Sequence, residues 1–147
     1  MNIEITQTNN LDEILELIKP VKEFYPEHEK WLNEKVKPNI PSEFTIHSLY
    51  LDNKLIGTTI IQLNDTKSKI CLLFIAENYR KQYFGTQLFV YAIKFIKERN
   101  NKILITIPEE LYDMWISLLS KSGFVLTNIL TDKYRTDSYE FYFNKFT

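Results

Sequence analysis

The stretch from Ile70 to Lys97 constrains the fold more than any other. An apolar run, Ile70 to Ala76, leads through the polar turn Glu77 to Thr86 into a long apolar helical pattern that ends near Lys97. The order is strand, basic turn, helix start. A helix N-terminus presents unpaired backbone N–H groups and the positive end of the macrodipole. With Arg80 and Lys81 in the turn, the stretch suits an anion, a phosphate group carried on something larger. Most strand-turn-helix units bind nothing, so the remaining elements decide whether this cradle has a ligand.

Upstream, Ile3 and Ile5 alternate with polar residues over Asn2 to Gln7, which predicts a short strand with one face on the core. Asn9 and Asn10 offer an N-cap. Leu11, Ile14, Leu15, Leu17, Ile18 and Val21 then share one face, predicting a helix from Leu11 to near Tyr25-Pro26. A shorter helix around Glu27 to Val36 carries Trp31 and Leu32, and Pro38 to Pro41 break it. Thr45 to Leu51 and Leu55 to Leu63 are strands joined at Asp52-Asn53. With the Ile70 strand, reached through Asn64 to Lys67, they predict an antiparallel meander.

Downstream, Lys102 to Ile107 is a β-branched run suited to a buried strand lying parallel to the Ile70 strand. Pro108 suits the first turn of a helix through Tyr112, Trp115, Ile116, Leu118 and Leu119, which stops at Gly123. Phe124 to Leu130 and Tyr139 to Phe146 are the last strands, joined by the polar loop Thr131 to Ser138.

Composition excludes several functions. A chain of 147 residues with no repeat or linker fits a single domain over residues 1–147, and this length buries roughly 68–70% of its unfolded surface. Eighteen basic against nineteen acidic residues leave a net charge of -1, which argues against nucleic acid as a partner. The single cysteine, Cys71, sits in an apolar run and reads as a small core hydrophobe. With only His28 and His47 and no Cys or His cluster, no metal site is expected, and His47 reads as structural. No apolar stretch is long enough to span a bilayer, and the N-terminus has no basic and apolar leader, so a cytoplasmic protein with no membrane partner is expected.

The order of elements, with Ile70 to Gly85 and Ser122-Gly123-Phe124, resembles the GNAT superfamily of acyl-CoA-dependent N-acetyltransferases. Their pyrophosphate motif is written Q/R-x-x-G-x-G/A at a helix start. Here Arg80 and Gly85 match it, and Tyr83 stands where the motif has its first glycine. Gly57, Gly85 and Gly123, the only glycines, fall where the family tends to place them. The resemblance implies an α+β (mixed α/β) fold, one GNAT-like domain with a seven-stranded mixed sheet and helices on both faces. It implies acetyl-CoA as cosubstrate and an amine of a small molecule or protein as acceptor. Backbone groups of Leu73, Phe74 and Ile75 would pair with the pantetheine arm, and backbone amides of Arg80, Lys81, Gln82, Tyr83, Phe84, Gly85 and Thr86 would hold the pyrophosphate.

The implied reaction needs a group to take the amine's proton, one to stabilise the oxyanion and one to protonate the sulfur. The Ile75 N–H would serve the oxyanion. Many members protonate sulfur with a Tyr four residues before the Gly-Phe pair, where this chain has Leu119; the family's cofactor-contacting Asn corresponds to Tyr112. Tyr112 is the candidate catalytic residue, set against a tyrosine that only packs at the helix start. Glu77 is a candidate base, set against a solvated turn residue, and water relaying the proton needs neither. Tyr25, Glu27, His28 and Trp31 border the acceptor cleft in the resembled family and suit a cationic amine through ion pairing and cation–π contact, set against exposed polar residues with Trp31 in the core. An alternative stays open: a catalytically weak or inactive GNAT-like module that senses acyl-CoA or acts through protein contacts. A homodimer and a monomer are equally compatible with the sequence.

Overall fold

In the computed structural model, which describes residues 2–99 and 102–146, the strands are β1 (Ile3–Gln7), β2 (Phe44–Leu51), β3 (Lys54–Gln62), β4 (Ser68–Ile75), β5 (Lys102–Pro108), β6 (Val125–Thr131) and β7 (Tyr139–Phe146). They form one seven-stranded sheet in the order β1-β2-β3-β4-β5-β7-β6. β4 and β5 run parallel, and every other neighbouring pair is antiparallel. The β2–β3 turn places Asp52 and Asn53 at φ 49° and 70°, the left-handed pair a two-residue hairpin requires and that Asp and Asn tolerate.

The helices are α1 (Leu11–Leu17), α2 (His28–Trp31), α3 (Phe84–Lys97) and α4 (Tyr112–Lys121). α3 and α4 cover one face, burying Phe89, Ala92 and Leu119 against Ile61, Ile70, Ile105 and Phe143. α1 and the segment after it cover the other, with Ile14, Ile18 and Leu32 against Phe44, Ile46 and Ile60. Gly123, at φ +87°, ends α4 in the left-handed conformation that glycine adopts without strain, and Lys145 Nζ caps the preceding Ser122 carbonyl at 2.7 Å.

Three helices depart from the sequence expectation. The first helix stops at Leu17 rather than near Tyr25, because Pro20 lacks an N–H and disfavours helical backbone in the residue before it; a 3-10 turn over Lys19–Glu23 follows. Pro108 does not open the last helix. At φ -70° and ψ 152° it is extended and ends β5, and a 3-10 turn over Glu109–Leu111 leads into α4. The second expected helix is α-helical only over His28–Trp31 and continues as a π turn over Leu32–Val36.

One irregularity in the sheet positions the candidate site. β4 pairs with β5 only over Ser68 to Ile70, opposite Ile103 to Ile105, and beyond Ile70 this pairing stops. At the same point the β3 register shifts, with Ile61 opposite Ile70 and Ile60 opposite Leu72, so Cys71 forms a bulge. The two parallel strands part there, and the second half of β4 is paired on one side only.

Candidate active site at the parting of two strands

The register fixes which backbone groups line the opening. Ala76 N–H donates to Ile56 O at 2.8 Å, and antiparallel pairing alternates, so Phe74 directs its N–H and C=O toward β3. Leu73 and Ile75 direct theirs to the β5 side, where the ladder has ended. Of the three residues expected to offer backbone groups, Phe74 therefore does not face the opening. The Ile75 carbonyl is taken by Arg80 Nε at 2.8 Å, whose guanidinium also lies 5.2 Å from the Phe74 ring centroid. Ile75 N–H and both polar groups of Leu73 remain on the open edge.

Past Ile75 the chain turns into α3. Lys81 and Tyr83 both adopt left-handed backbone, at φ 63° and 68°, and Tyr83 occupies the N-cap position with no side-chain cap on the helix. Tyr83 thus stands in a conformation where a glycine is relaxed and a tyrosine costs about 1–2 kcal/mol. Tyr83 is 80% exposed, and the backbone amides of Phe84, Gly85 and Thr86, in the first turn of the helix, have no intrahelical acceptor and no side-chain cap from Tyr83. A Cβ on Gly85 would meet Ile75 Cγ1 at 3.6 Å, an ordinary contact, so the space beside the helix start is open.

On the α3/α4 face the side chains near the opening are apolar. Tyr112, the first residue of α4, packs edge-on to Phe141 at 5.0 Å between centroids and lies 6.3 Å from Phe143. Leu119 is fully buried. Glu77 lies exposed in a 3-10 turn, as a solvated turn residue does.

The opposite face holds a polar cluster. Thr106 follows the last β5 residue paired with β4 and lies opposite Tyr142 of β7. Two residues before Tyr142, Glu140 is only 5% exposed; the Tyr25 hydroxyl donates to its Oε1 at 2.6 Å and the Thr106 hydroxyl donates to the same carboxylate. Tyr134, from the β6–β7 loop, meets Tyr25 edge-on at 5.0 Å and is bonded through its hydroxyl by Lys69 Nζ at 3.5 Å. Burial pushes the Glu140 carboxyl above the ordinary carboxylate range, partly offset by the Tyr25 and Thr106 hydrogen bonds. Burial and then the Glu140 charge push the Tyr25 phenol far up and Tyr134 to about 12, so both stay protonated donors. Arg135 latches the loop in place with two bonds to Glu110, at 2.6 and 2.7 Å, and lies 5.6 Å from the Phe24 ring centroid.

Of the four residues expected at the acceptor cleft, only Tyr25 joins this cluster. His28 is buried with Nδ1 3.2 Å from the Tyr25 carbonyl, Trp31 packs edge-on to Phe44, and Glu27 is exposed. Glu140, Thr106 and Tyr134 were not singled out by the sequence. The signal available was one carboxylate inside an otherwise aromatic strand, Tyr139 to Phe143. His47 is structural as read: its nitrogens lie 2.9 Å from Thr45 Oγ1 and from the Tyr91 hydroxyl, and burial, then Arg99, hold it down to about 4. Burial likewise raises the Cys71 thiol to about 11, which leaves it an inert thiol beside the core. Among the described residues no His, Cys, Asp and Glu group could hold a metal, and no helix is long and apolar enough to cross a membrane.

Comparison with known proteins agrees with this architecture. Similar folds occur in the ribosomal-protein-S18-alanine N-acetyltransferase of Escherichia coli (TM-score 0.78, 15% identity, 98% of this chain and 93% of that one). The PaiA N-acetyltransferase of Thermoplasma acidophilum, in complex with coenzyme A, is another (TM-score 0.74, 20% identity, 100% of both chains). A third is a GNAT family acetyltransferase of Elizabethkingia anophelis with acetyl-CoA bound (TM-score 0.74, 18% identity, 99% of both chains). No curated protein sequence matches the chain significantly. The model of the acetyltransferase (GNAT) family matches residues 10–124, the greater part of the chain, from the start of α1 through the strand parting to the end of α4. The protein belongs to the GNAT acetyltransferase family.

Proposed function

We propose that the protein is an N-acyltransferase that moves an acetyl group from acetyl-CoA to a primary amine of a small molecule or protein. The observation that carries this is the open edge of β4, with Leu73 and Ile75 directed into the parting beside an uncapped helix start. A pantetheine arm has amides that satisfy such an edge as an added strand does, and a diphosphate takes several convergent N–H donors. In that placement the residues from Arg80 to Thr86 hold the pyrophosphate through backbone amides, while the Arg80 side chain braces the Ile75 carbonyl. The Ile75 N–H then points to where the thioester oxygen gains charge as the amine attacks. Structural relatives solved with coenzyme A and with acetyl-CoA support the same cosubstrate here.

Tyr112 is the proposed donor to the departing sulfur, from the α3/α4 face. Fully buried Leu119, at the position where the resembled enzymes carry that tyrosine, favours a second reading, an acyl-CoA-binding sensor without turnover. One pair of measurements separates the two. Acetyl-CoA at about 100 times its dissociation constant should add roughly 2.7 kcal/mol of stability, read as a rise in melting temperature. No rise at saturation overturns both readings; a rise without free-thiol release over a panel of primary amines leaves the sensor.

A further inference from the structure

Glu140 presents a problem that folding alone does not solve. A carboxylate 95% removed from solvent is costly unless it is paired with a cation, and none of the ion pairs among the described residues includes it. What surrounds it is hydroxyl and aromatic: Tyr25 from the segment after α1, Tyr134 from the β6–β7 loop, Tyr142 on its own strand and Thr106 on β5. Lys69 of β4 and Arg135 act on it only at longer range; Lys69 is bonded to Tyr134 and Arg135 to Glu110. Cys71, the remaining titratable neighbour from β4, is held neutral by burial. The cluster stands on the sheet face opposite Tyr112, beside the residue where β4 and β5 separate. The missing counter-charge therefore lies across the parting from the open β4 edge.

We infer that Glu140 is the acceptor-binding carboxylate and proton acceptor of the site, and that the acceptor is a slender primary ammonium on an alkyl arm, reaching Glu140 beside the Tyr25 and Tyr134 rings. The inference rests on the transferase reading above. The ammonium supplies the cation that Glu140 lacks, and aromatic rings at its flanks favour a cation over a neutral group. An edge-to-face pair at 5.0 Å between centroids is in contact, so the two rings wall one side of Glu140 with no gap between them, and a carboxyl this enclosed suits a slim alkyl ammonium better than the N-terminal amine of a folded protein. The ammonium gives one proton to Glu140, and the freed nitrogen forms the C–N bond to the acyl carbon as the C–S bond breaks. The nitrogen's surplus proton ends on the coenzyme A thiolate, and Glu140 returns its proton to solvent. Burial, by raising the carboxyl, makes it a better base without removing its charge-pairing role.

The test compares wild type with Glu140→Gln, which keeps an acceptor for the Tyr25 and Thr106 hydroxyls. Each is assayed for its acetyl-CoA melting shift and for kcat/KM against pH with alkyl primary amines, α-amino peptides and a neutral-pH aromatic amine. The expected result is an unchanged acetyl-CoA shift, loss of kcat/KM of about 100-fold or more with alkyl amines, and disappearance of the acid limb of the wild-type profile. Should Glu140→Gln fail to fold, Tyr25→Phe takes its place, and the acid limb should then move to higher pH. A variant with near-wild-type rates and an unmoved acid limb overturns the inference while leaving acetyl-CoA binding intact. Turnover confined to α-amino peptides or to the neutral amine overturns it too, as does a wild type that binds acetyl-CoA and accepts no amine. Absence of the acetyl-CoA shift in wild type instead strikes the transferase reading itself.

Discussion

The two faces of the sheet meet at the same gap between β4 and β5 and are built on different principles. On the α3/α4 side the lining is backbone: the Leu73 and Ile75 edge and the first amides of α3, set among Phe141, Phe143 and Leu119. On the other side it is side chain: Glu140, Tyr25, Tyr134 and Thr106, drawn from four separate parts of the chain. On the function proposed above, the difference matches two recognition problems. A cosubstrate of fixed structure is served by main-chain amides that almost any sequence supplies, whereas an acceptor that differs between enzymes needs side chains that can differ too. Substitutions on the first face should therefore act through packing and the fold, and those on the second through charge and chemistry.

The sharpest way to break this division is Gly57→Val. Gly57 lies opposite Ile75, and a Cβ there would come 2.5 Å from Ile75 Cδ1 and 3.1 Å from the Phe74 carbonyl oxygen. Ile75 Cδ1 can clear the new side chain only by changing rotamer inside a packed cluster, and the Phe74 carbonyl cannot yield without moving β4, so we expect a stability loss of about 2–3 kcal/mol by denaturant unfolding, with a weakened acetyl-CoA shift. Gly85→Ala, whose Cβ meets only ordinary contacts, serves as the paired control and should fold as wild type. A Gly57 variant of normal stability would show that the β4 edge is not held in place by this contact.

Tyr25→Phe probes the other face with a smaller effect. Its hydroxyl is a donor to a buried carboxylate, and its loss should cost about 1–2 kcal/mol near neutral pH. The sign with pH is set by Glu140. Because its folded carboxyl is raised, the native state holds the proton that the unfolded chain has released, and stability falls as pH rises through that window. Removing the Tyr25 hydrogen bond, which lowers the carboxyl, extends the window upward. Thermal melts across acid to neutral pH should show variant and wild type converging in acid, where Glu140 is protonated in both. A constant difference at all pH values would assign Tyr25 a packing role only.

The two faces were not equally legible in the sequence. The β4 turn and α3 were readable because a continuous apolar run, a basic turn and a 3.6-residue stripe are local signals, and Gly123 marks its helix end by backbone alone. Even there, the bulge at Cys71 and the resulting alternation, which turns Phe74 away from the gap, depend on pairing with β3. Pro20 and Pro108 are ambiguous for opposite reasons: the first lies within a continuous apolar stripe that runs past it, and the second fits a helix start and a strand end equally well at its fixed φ. Glu140 had no local mark of its role. Its partner Tyr25 is 115 residues away, and strand periodicity tells which residues share a face but not which face opens on the gap.

Tyr83→Gly should have the smallest effect, and its direction separates the two kinds of lining. Relaxing a left-handed tyrosine recovers about 1–2 kcal/mol, while the freer unfolded chain of the glycine variant takes back roughly 0.5–1 kcal/mol. Net stability should rise by no more than about 1.5 kcal/mol, read by denaturant unfolding. If the amides of α3 alone hold the diphosphate, the ring at position 83, 80% exposed, contributes little to it. The acetyl-CoA dissociation constant, measured by calorimetry, should then stay within about threefold of wild type, which is less than 1 kcal/mol. A tenfold weakening, about 1.4 kcal/mol, would mean that Tyr83 itself closes on the bound molecule. The cosubstrate side would then rely on a side chain after all, and the contrast between the two faces would fail at the residue where this chain departs from its family's glycine.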